Sequence, residues 1–382
     1  MISKYIGILE ILSIIYKFSW LVDIILSRIY LFKLNERLAQ LDRALASGAE
    51  GCGFESRISR LLPGGEKVFV HFWGVRGSLP KPLNNQQVQA KLTAAIARMT
   101  PKDLESPESK MKFISSLPDW IYGTYGGNTP CVELRPKTGE VILLDCGTGL
   151  RDYAIYGKQP DNKHYTIFLS HLHWDHIQGF PFFGPSFNPT VTIDIYSPFE
   201  NAEECFEKQS STPFFPPNGC WKSVKNQCRF HKMEEGVPIE LYGMKVECHK
   251  MFHPGDSYSY SFLEGHKKFI YCTDAELQQS DFDKTVERNF FFQDADVLVL
   301  DSQYTNPEAA KKVNWGHSSF SRAVEFASLW NVKDLYFFHH EPAYDDKKLD
   351  AILSAGINYH KYNSEGSNVG IHMSREGQEI EF

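Results

Sequence analysis

The chain has 382 residues, two to three times a usual domain length but within reach of one large sandwich. Its 28 Phe and 18 Tyr supply the bulk of a core and exclude wholesale disorder. A net charge of −7 excludes a nonspecific grip on nucleic-acid phosphates, which needs a surplus of Lys and Arg, so no stable nucleic-acid partner is expected and a small anionic substrate is.

Residues 1–66 read as a helical leader. Residues 6–33 are rich in Ile and Leu, but Glu10, Lys17, Asp23 and Arg28 break them well short of the roughly 20 apolar residues of a membrane span, so no transmembrane segment is expected. At about 100° per residue Glu10, Lys17 and Arg28 share a helical face, which suits a helix lying on a membrane, on a partner or over the rest of the chain. Gly53–Arg57, Gly-Phe-Glu-Ser-Arg, resembles one reading frame of the T-arm of a transfer-RNA gene. That resemblance predicts a leader translated from upstream of the true start, or fused by an element inserted at a tRNA gene.

From Lys67 the texture changes to short apolar runs parted by Gly, Pro and Asn, and residues 67–382 read as one catalytic domain. Strands are expected at Lys67–Trp73, Cys131–Arg135, Val141–Asp145, Thr166–Ser170, Thr190–Tyr196, Met244–Met251, Phe269–Thr273, Val297–Asp301 and Leu335–Phe338. Helical periodicity marks Gln86–Met99, Ser318–Leu329 and Lys347–Ala355. Strands with interspersed helices predict a sheet core covered by helices. Residues 83–122 and 199–240 read as insertions that overhang a site or decorate the fold. The eight Cys form no Cys-x-x-Cys pair and are read as reduced, mostly buried thiols of a cytoplasmic protein.

The chemistry gathers after the run Tyr165–Leu169, at His171-Leu172-His173-Trp174-Asp175-His176. A strand ending in a tight turn aims alternate residues to one side, so His171 and His173 can share one metal while Asp175 and His176 reach a second. Imidazole and carboxylate donors suit zinc, with manganese and iron(II) as alternatives. The aromatics Trp73, Trp174, Phe180, Phe182 and Phe183 could stack a base, although core packing is the commoner fate of such runs.

The His-x-His-x-Asp-His run resembles the signature of the metallo-β-lactamase superfamily. Trp73–Ser78 (Trp-Gly-Val-Arg-Gly-Ser), Tyr125–Cys131 (Tyr-Gly-Gly-Asn-Thr-Pro-Cys) and Leu144–Leu150 (Leu-Asp-Cys-Gly-Thr-Gly-Leu) resemble its phosphodiesterase and ribonuclease Z-like branch. The likeness spans about residues 67–376. It implies an α+β, four-layer αββα sandwich with helical insertions, two divalent metal ions and a homodimer. The further ligands it implies are His253 in Met251–Gly255, with His249 as competitor; Asp274, bridging both metals; and His339, with His340 as competitor. Glu276 is then an outlying residue.

Two metals so held can deprotonate a bridging water and clamp a phosphoryl transition state. The resulting expectation is a metal-dependent hydrolase, a phosphodiesterase of small or cyclic nucleotides. An acyl hydrolase of lactones, lactams or thioesters and an RNA-processing endonuclease are the alternatives. His317, in Asn314–Phe320, resembles the Gly-His-Ser-Thr element of ribonuclease Z-like enzymes and is expected as the acid that protonates the leaving group, or else as a helix-start histidine beside the cap Ser318. Asp175 is counted as catalytic as well as ligating. Asp145 is expected to orient a ligand His, or to serve the turn alone. Arg76 and Asn128 either contact substrate phosphate or pin loops.

Overall fold

Alternate residues of the strands feed different cores, and this alternation builds the layers. A computed structural model describes residues 67–216 and 220–382. The expectations for the leader, residues 1–66, lie outside the described residues.

The first sheet contains β1 (Phe69–Gly74), β2 (Cys131–Arg135), β3 (Ile142–Leu144), β4 (His164–Phe168), β5 (Thr192–Ser197) and β6 (Cys228–Lys232). The second contains β7 (Ile239–Leu241), β8 (Met244–Met251), β9 (Ser257–Glu264), β10 (Lys267–Cys272), β11 (Val297–Asp301), β12 (Asp334–Phe338) and β13 (Gly370–Met373). A last strand, β14 (Glu379–Glu381), returns to β1, so each sheet has seven strands, ordered β14-β1-β2-β3-β4-β5-β6 and β13-β12-β11-β10-β9-β8-β7. Both sheets follow one plan. Antiparallel pairing runs from β14 to β3 and from β7 to β10, and parallel pairing from β3 to β6 and from β10 to β13.

Ile142 and Leu144 join Phe262, Tyr271, Val299 and Phe338 in a core between the sheets, whereas Leu143 turns outward to Leu150, Tyr153, Phe180 and Phe206. On β11, Val297 and Val299 enter the central core while Leu298 and Leu300 pack with Val324, Phe326, Leu349 and Ile352 of the helices Phe320–Leu329 and Asp346–Asn363. Three cores therefore separate four layers, the αββα sandwich implied by the sequence. Each fully buried Leu or Phe contributes about 1.5–3 kcal/mol, so this patterning fixes which strand face looks inward.

Within 83–122 the helix Asn85–Ile96 starts on an Asn84–Gln87 capping box and buries none of its own residues. Lys91 fastens it, reaching Asp346 at 2.7 Å and the carbonyls of Trp120 and Gly123. The expectation that 199–240 is an insertion needs correction. Besides the helix Ala202–Gln209 it contains β6 and β7, which complete the two sheets. Cys131, Cys146, Cys205, Cys228, Cys248 and Cys272 are free thiols. Among the described residues no helix is long and apolar enough to cross a membrane.

Candidate metal centre

Parallel strands and strands two places apart in an antiparallel run point the same way, so β3, β4, β8, β10, β11 and β12 deliver their carboxyl ends to one edge of the sandwich, where open α/β sheets bind ligands. The candidate metal ligands and Asp145 all lie beyond such ends. Asp145, Asp274 and His339 leave their strands with φ of 62°, 49° and 60°, a left-handed conformation that side chains other than glycine seldom adopt. Such strain collects where geometry serves function.

Two groups of donors meet there. His171, His173, His253 and Asp274 form one, and Asp175, His176, Asp274 and His339 the other, with the donor atoms of each group within 4.8 Å of one another. Asp274 belongs to both. Its Oδ1 lies 3.1 Å from His176 Nε2 and 3.2 Å from His339 Nε2, and its Oδ2 lies 3.6 Å from His171 Nε2. His253 Nε2 and His173 Nδ1 face each other at 3.0 Å.

The competitors fall elsewhere. His249 meets Glu235 at 3.1 Å and packs on Phe291 and Phe292, and His340 bonds the Ser374 carbonyl at 2.9 Å. Burial, helped by Arg76, pushes the His340 imidazole down to about 3.

These donors fit a divalent metal. The Nε2 atoms of His171 and His176 are buried without a hydrogen-bond partner, an arrangement that is costly unless a cation receives them. Burial drives His171 well below the usual imidazole range, with neighbouring His176 adding to the effect, and so leaves its ring neutral and able to ligate. Burial opposes charge on His176 too, but Asp274, Asp175 and Asp145 outweigh it and hold a proton there. A proton on His176 and a cation at the cluster are alternative ways of neutralising those carboxylates. Nitrogen and oxygen donors without thiolate match zinc, manganese or iron(II).

Supporting contacts fix the rings. Asp145, fully buried, accepts from the backbone N–H and hydroxyl of Ser170, from Tyr271 and from His176 Nδ1, all at 2.7–2.8 Å. The Ser78 N–H donates to Asp175 Oδ2 at 2.7 Å. His253 Nδ1 meets the Gly316 carbonyl at 2.9 Å, and a Cβ at Gly316, where φ is +88°, would run into that ring.

His317 Nδ1 lies 2.6 Å from Asp301 Oδ2, and its ring stacks on His339 at 4.9 Å and stands 5.1 Å from His253. Burial opposes its charge, but Asp301, then Asp274 and Asp175, raise its pKa above the ordinary imidazole value. It is no helix cap. Ser319 caps the helix Phe320–Leu329, and Ser318 bonds Ala275 and Leu277 instead. Glu276 accepts from the backbone N–H groups of Asn314 and Gly316 at 2.9 and 2.8 Å, clasping the loop that leads into His317.

Arg76 and Asn128 stand where loops meet. The Arg76 guanidinium, 2% exposed, donates to the carbonyls of Gly126, Glu341 and Tyr344 and lies 3.6 Å from an Asp346 oxygen, so these contacts pin the loops together. Asn128 bonds Asp152 and Thr148. The reading of sequence passed over Asp301. A carboxylate ending the wholly buried strand Val297–Asp301 was the available signal.

Two facing mixed sheets with a His/Asp centre at their strand ends define a metal-dependent hydrolase. Residues 140–340, just over half of the chain, match the Beta-lactamase superfamily domain, and the chain belongs to that family. It is similar to ribonuclease Z of Oceanobacillus iheyensis, 22% identical over 277 residues that cover 58% of this chain and 86% of that protein. Its fold is similar to the metallo-beta-lactamase fold protein YhfI from Bacillus subtilis, with a TM-score of 0.56 and 15% identity over 83% of this chain and 100% of that one. Unliganded yeast PDE1 gives a TM-score of 0.54 and 13% identity over 83% of this chain and 99% of that one.

Proposed function

We propose that this hydrolase cleaves phosphodiester bonds in a small or cyclic nucleotide. The observation that carries the reading is the Asp301–His317 pair, 2.6 Å apart, with the imidazole seated against both donor groups. In this reading His171, His173 and His253 hold one divalent ion, Asp175, His176 and His339 hold the other, and Asp274 serves both. Two such ions, zinc by preference, supply an activated water and neutralise charge on the phosphoryl oxygens.

The chain's own residues do the rest. Asp145 keeps His176 in the orientation that presents Nε2, and the Ser78 N–H orients Asp175, which also steers the attacking water. His317, its proton retained by Asp301, gives that proton to the departing alkoxide, otherwise a poor leaving group. Acyl hydrolysis has less need of such an acid. The similarity to ribonuclease Z favours a second reading, RNA processing, and the net charge of −7 weighs against it. A homodimer belongs to the leading reading and is checked by sedimentation.

The test is a substrate panel on the zinc-loaded enzyme and on Asp175→Ala and His317→Ala. Cleavage of cyclic mononucleotides by the wild type, lost in both variants, or of bis(p-nitrophenyl) phosphate by the wild type and lost in Asp175→Ala, supports the proposal. Cleavage of precursor tRNA alone moves the assignment to RNA processing. Inert phosphodiesters with opened lactones, lactams or thioesters overturn it.

A further inference from the structure

Glu276 stands two residues beyond the shared ligand Asp274 and belongs to neither donor group. Its carboxylate nonetheless reaches the centre through one residue's backbone. The two oxygens accept the N–H groups of Asn314 at 2.9 Å and Gly316 at 2.8 Å, backbone donors that converge on one anion as they do in a nest. The Gly316 carbonyl in turn accepts from His253 Nδ1 at 2.9 Å. A carbonyl cannot donate, so the hydrogen of a neutral His253 ring sits on Nδ1 and the lone pair on Nε2 is left for a metal.

A side chain at residue 316 fails on two counts. Its φ is +88°, and a Cβ would lie 2.2 Å from His253 Nδ1 and 2.5 Å from Pro254 Cδ. Glycine permits the approach but brings the freest backbone of any residue. The carbonyl that orients His253 therefore rides on the residue type least able to hold itself in place, and Asn314, at φ +68°, adds another left-handed step just before it. Glu276 pins this turn from the N–H side. Hydrogen bonds from backbone N–H groups to a carboxylate are roughly twice as strong as neutral ones.

Beyond the turn the chain is held independently. Ser318 Oγ donates to the Ala275 carbonyl at 2.6 Å and accepts the Leu277 N–H at 2.9 Å, the Ser318 N–H donates to Asp301 Oδ1 at 3.2 Å, and Asp301 also holds His317 Nδ1. The effect of Glu276 thus falls on the Gly316 carbonyl, and through it on His253. We propose that Glu276 is a positioning residue of the metal centre, acting through Gly316 to hold His253 with Nε2 presented to the ion it would share with His171 and His173. The inference rests on the two-ion arrangement of the proposed function and is independent of which bond is cleaved.

Glu276→Gln is the test, because the amide keeps one acceptor oxygen and sets an NH2 donor against the second N–H. In zinc-loaded protein labelled with 15N-histidine, the Nδ1–H of His253 should give a signal protected from solvent exchange, and the variant should lose it. Competition with a chelator should show zinc weakened about 10- to 100-fold at one of the two sites and unchanged at the other. In a His253→Ala background the same substitution should have no further effect, since nothing remains for the carbonyl to orient. A His253 signal that survives, zinc affinities left unchanged, equal weakening of both sites, or a loss that persists without His253 each overturns the inference. A lower Tm with both affinities intact also overturns it and makes Glu276 a clasp of the loop alone. Weakening of one site in a protein that cleaves no phosphodiester would uphold the positioning role and remove the phosphodiesterase reading. Diester cleavage by the wild type, with zinc affinities unchanged in Glu276→Gln, would do the reverse.

Discussion

The two sheets furnish the metal centre in different ways. The first delivers His171, His173, Asp175 and His176 on one short loop after β4, while the second delivers His253, Asp274 and His339 singly, each past a different strand. On the first sheet local geometry suffices, because a turn sets the relative directions of residues two or three apart. On the second, tertiary structure alone makes neighbours of residues up to 86 positions apart, through the common direction of β8, β10 and β12. A change on the first sheet should therefore act on one ion, whereas Asp274 links both.

The sharpest way to break that contrast is metal counting. Asp274→Ala should lose both ions and all measurable hydrolysis, while His171→Ala and His339→Ala should each retain about one ion per chain. Elemental analysis of the purified variants reads this directly, and two ions retained by Asp274→Ala would refute the shared role. His317→Ala should come next, keeping its metal but losing about 10²- to 10⁴-fold in turnover of diesters with alkoxide leaving groups. A p-nitrophenolate leaving group needs no acid, so the same variant should lose much less on that substrate, and equal losses on both would remove His317 from proton donation. Asp145→Ala should weaken metal at the His176 site about 10- to 100-fold, measured by competition with a chelator, because His176 loses the carboxylate that orients it.

The same contrast explains what was legible in the sequence. Strands β8 and β11 could be bounded to the residue because they are continuous apolar or alternating runs with buried faces. Strand β9, Ser257–Glu264, was missed because its Ser-Tyr alternation reads as loop, yet Ser257, Ser259 and Ser261 are buried beneath neighbouring strands on both sides. Edge strands β6 and β14, rich in charge, carry almost no apolar signal. At the site the ligand types followed from family likeness, but the choice of His339 over His340 depends on a left-handed turn that no periodicity encodes. For Arg76 the glycine-rich surroundings leave phosphate contact and loop pinning equally open in the sequence, and the bonds seen in the fold run to the protein's own backbone.

The smallest expected effect lies where the sheets are sewn together. Glu376, in the loop that carries the chain from β13 of the second sheet to β14 of the first, accepts the Asn128 N–H of the β1–β2 connection at 2.5 Å. Burial pushes its carboxyl from 4.5 up to about 7, against the pull of the Asn128 and Gly127 N–H groups and of Arg76. The unfolded chain thus releases this proton more readily than the folded one. The folded state is undisturbed below about 4.5 and loses stability as pH climbs to about 7, after which the loss is constant. Glu376→Gln keeps an acceptor oxygen and removes the titration. Its Tm should match the wild type at acid pH and exceed it by a margin that grows through this window and then levels. An equal offset at every pH would assign the effect to packing and leave the seam without a titrating group.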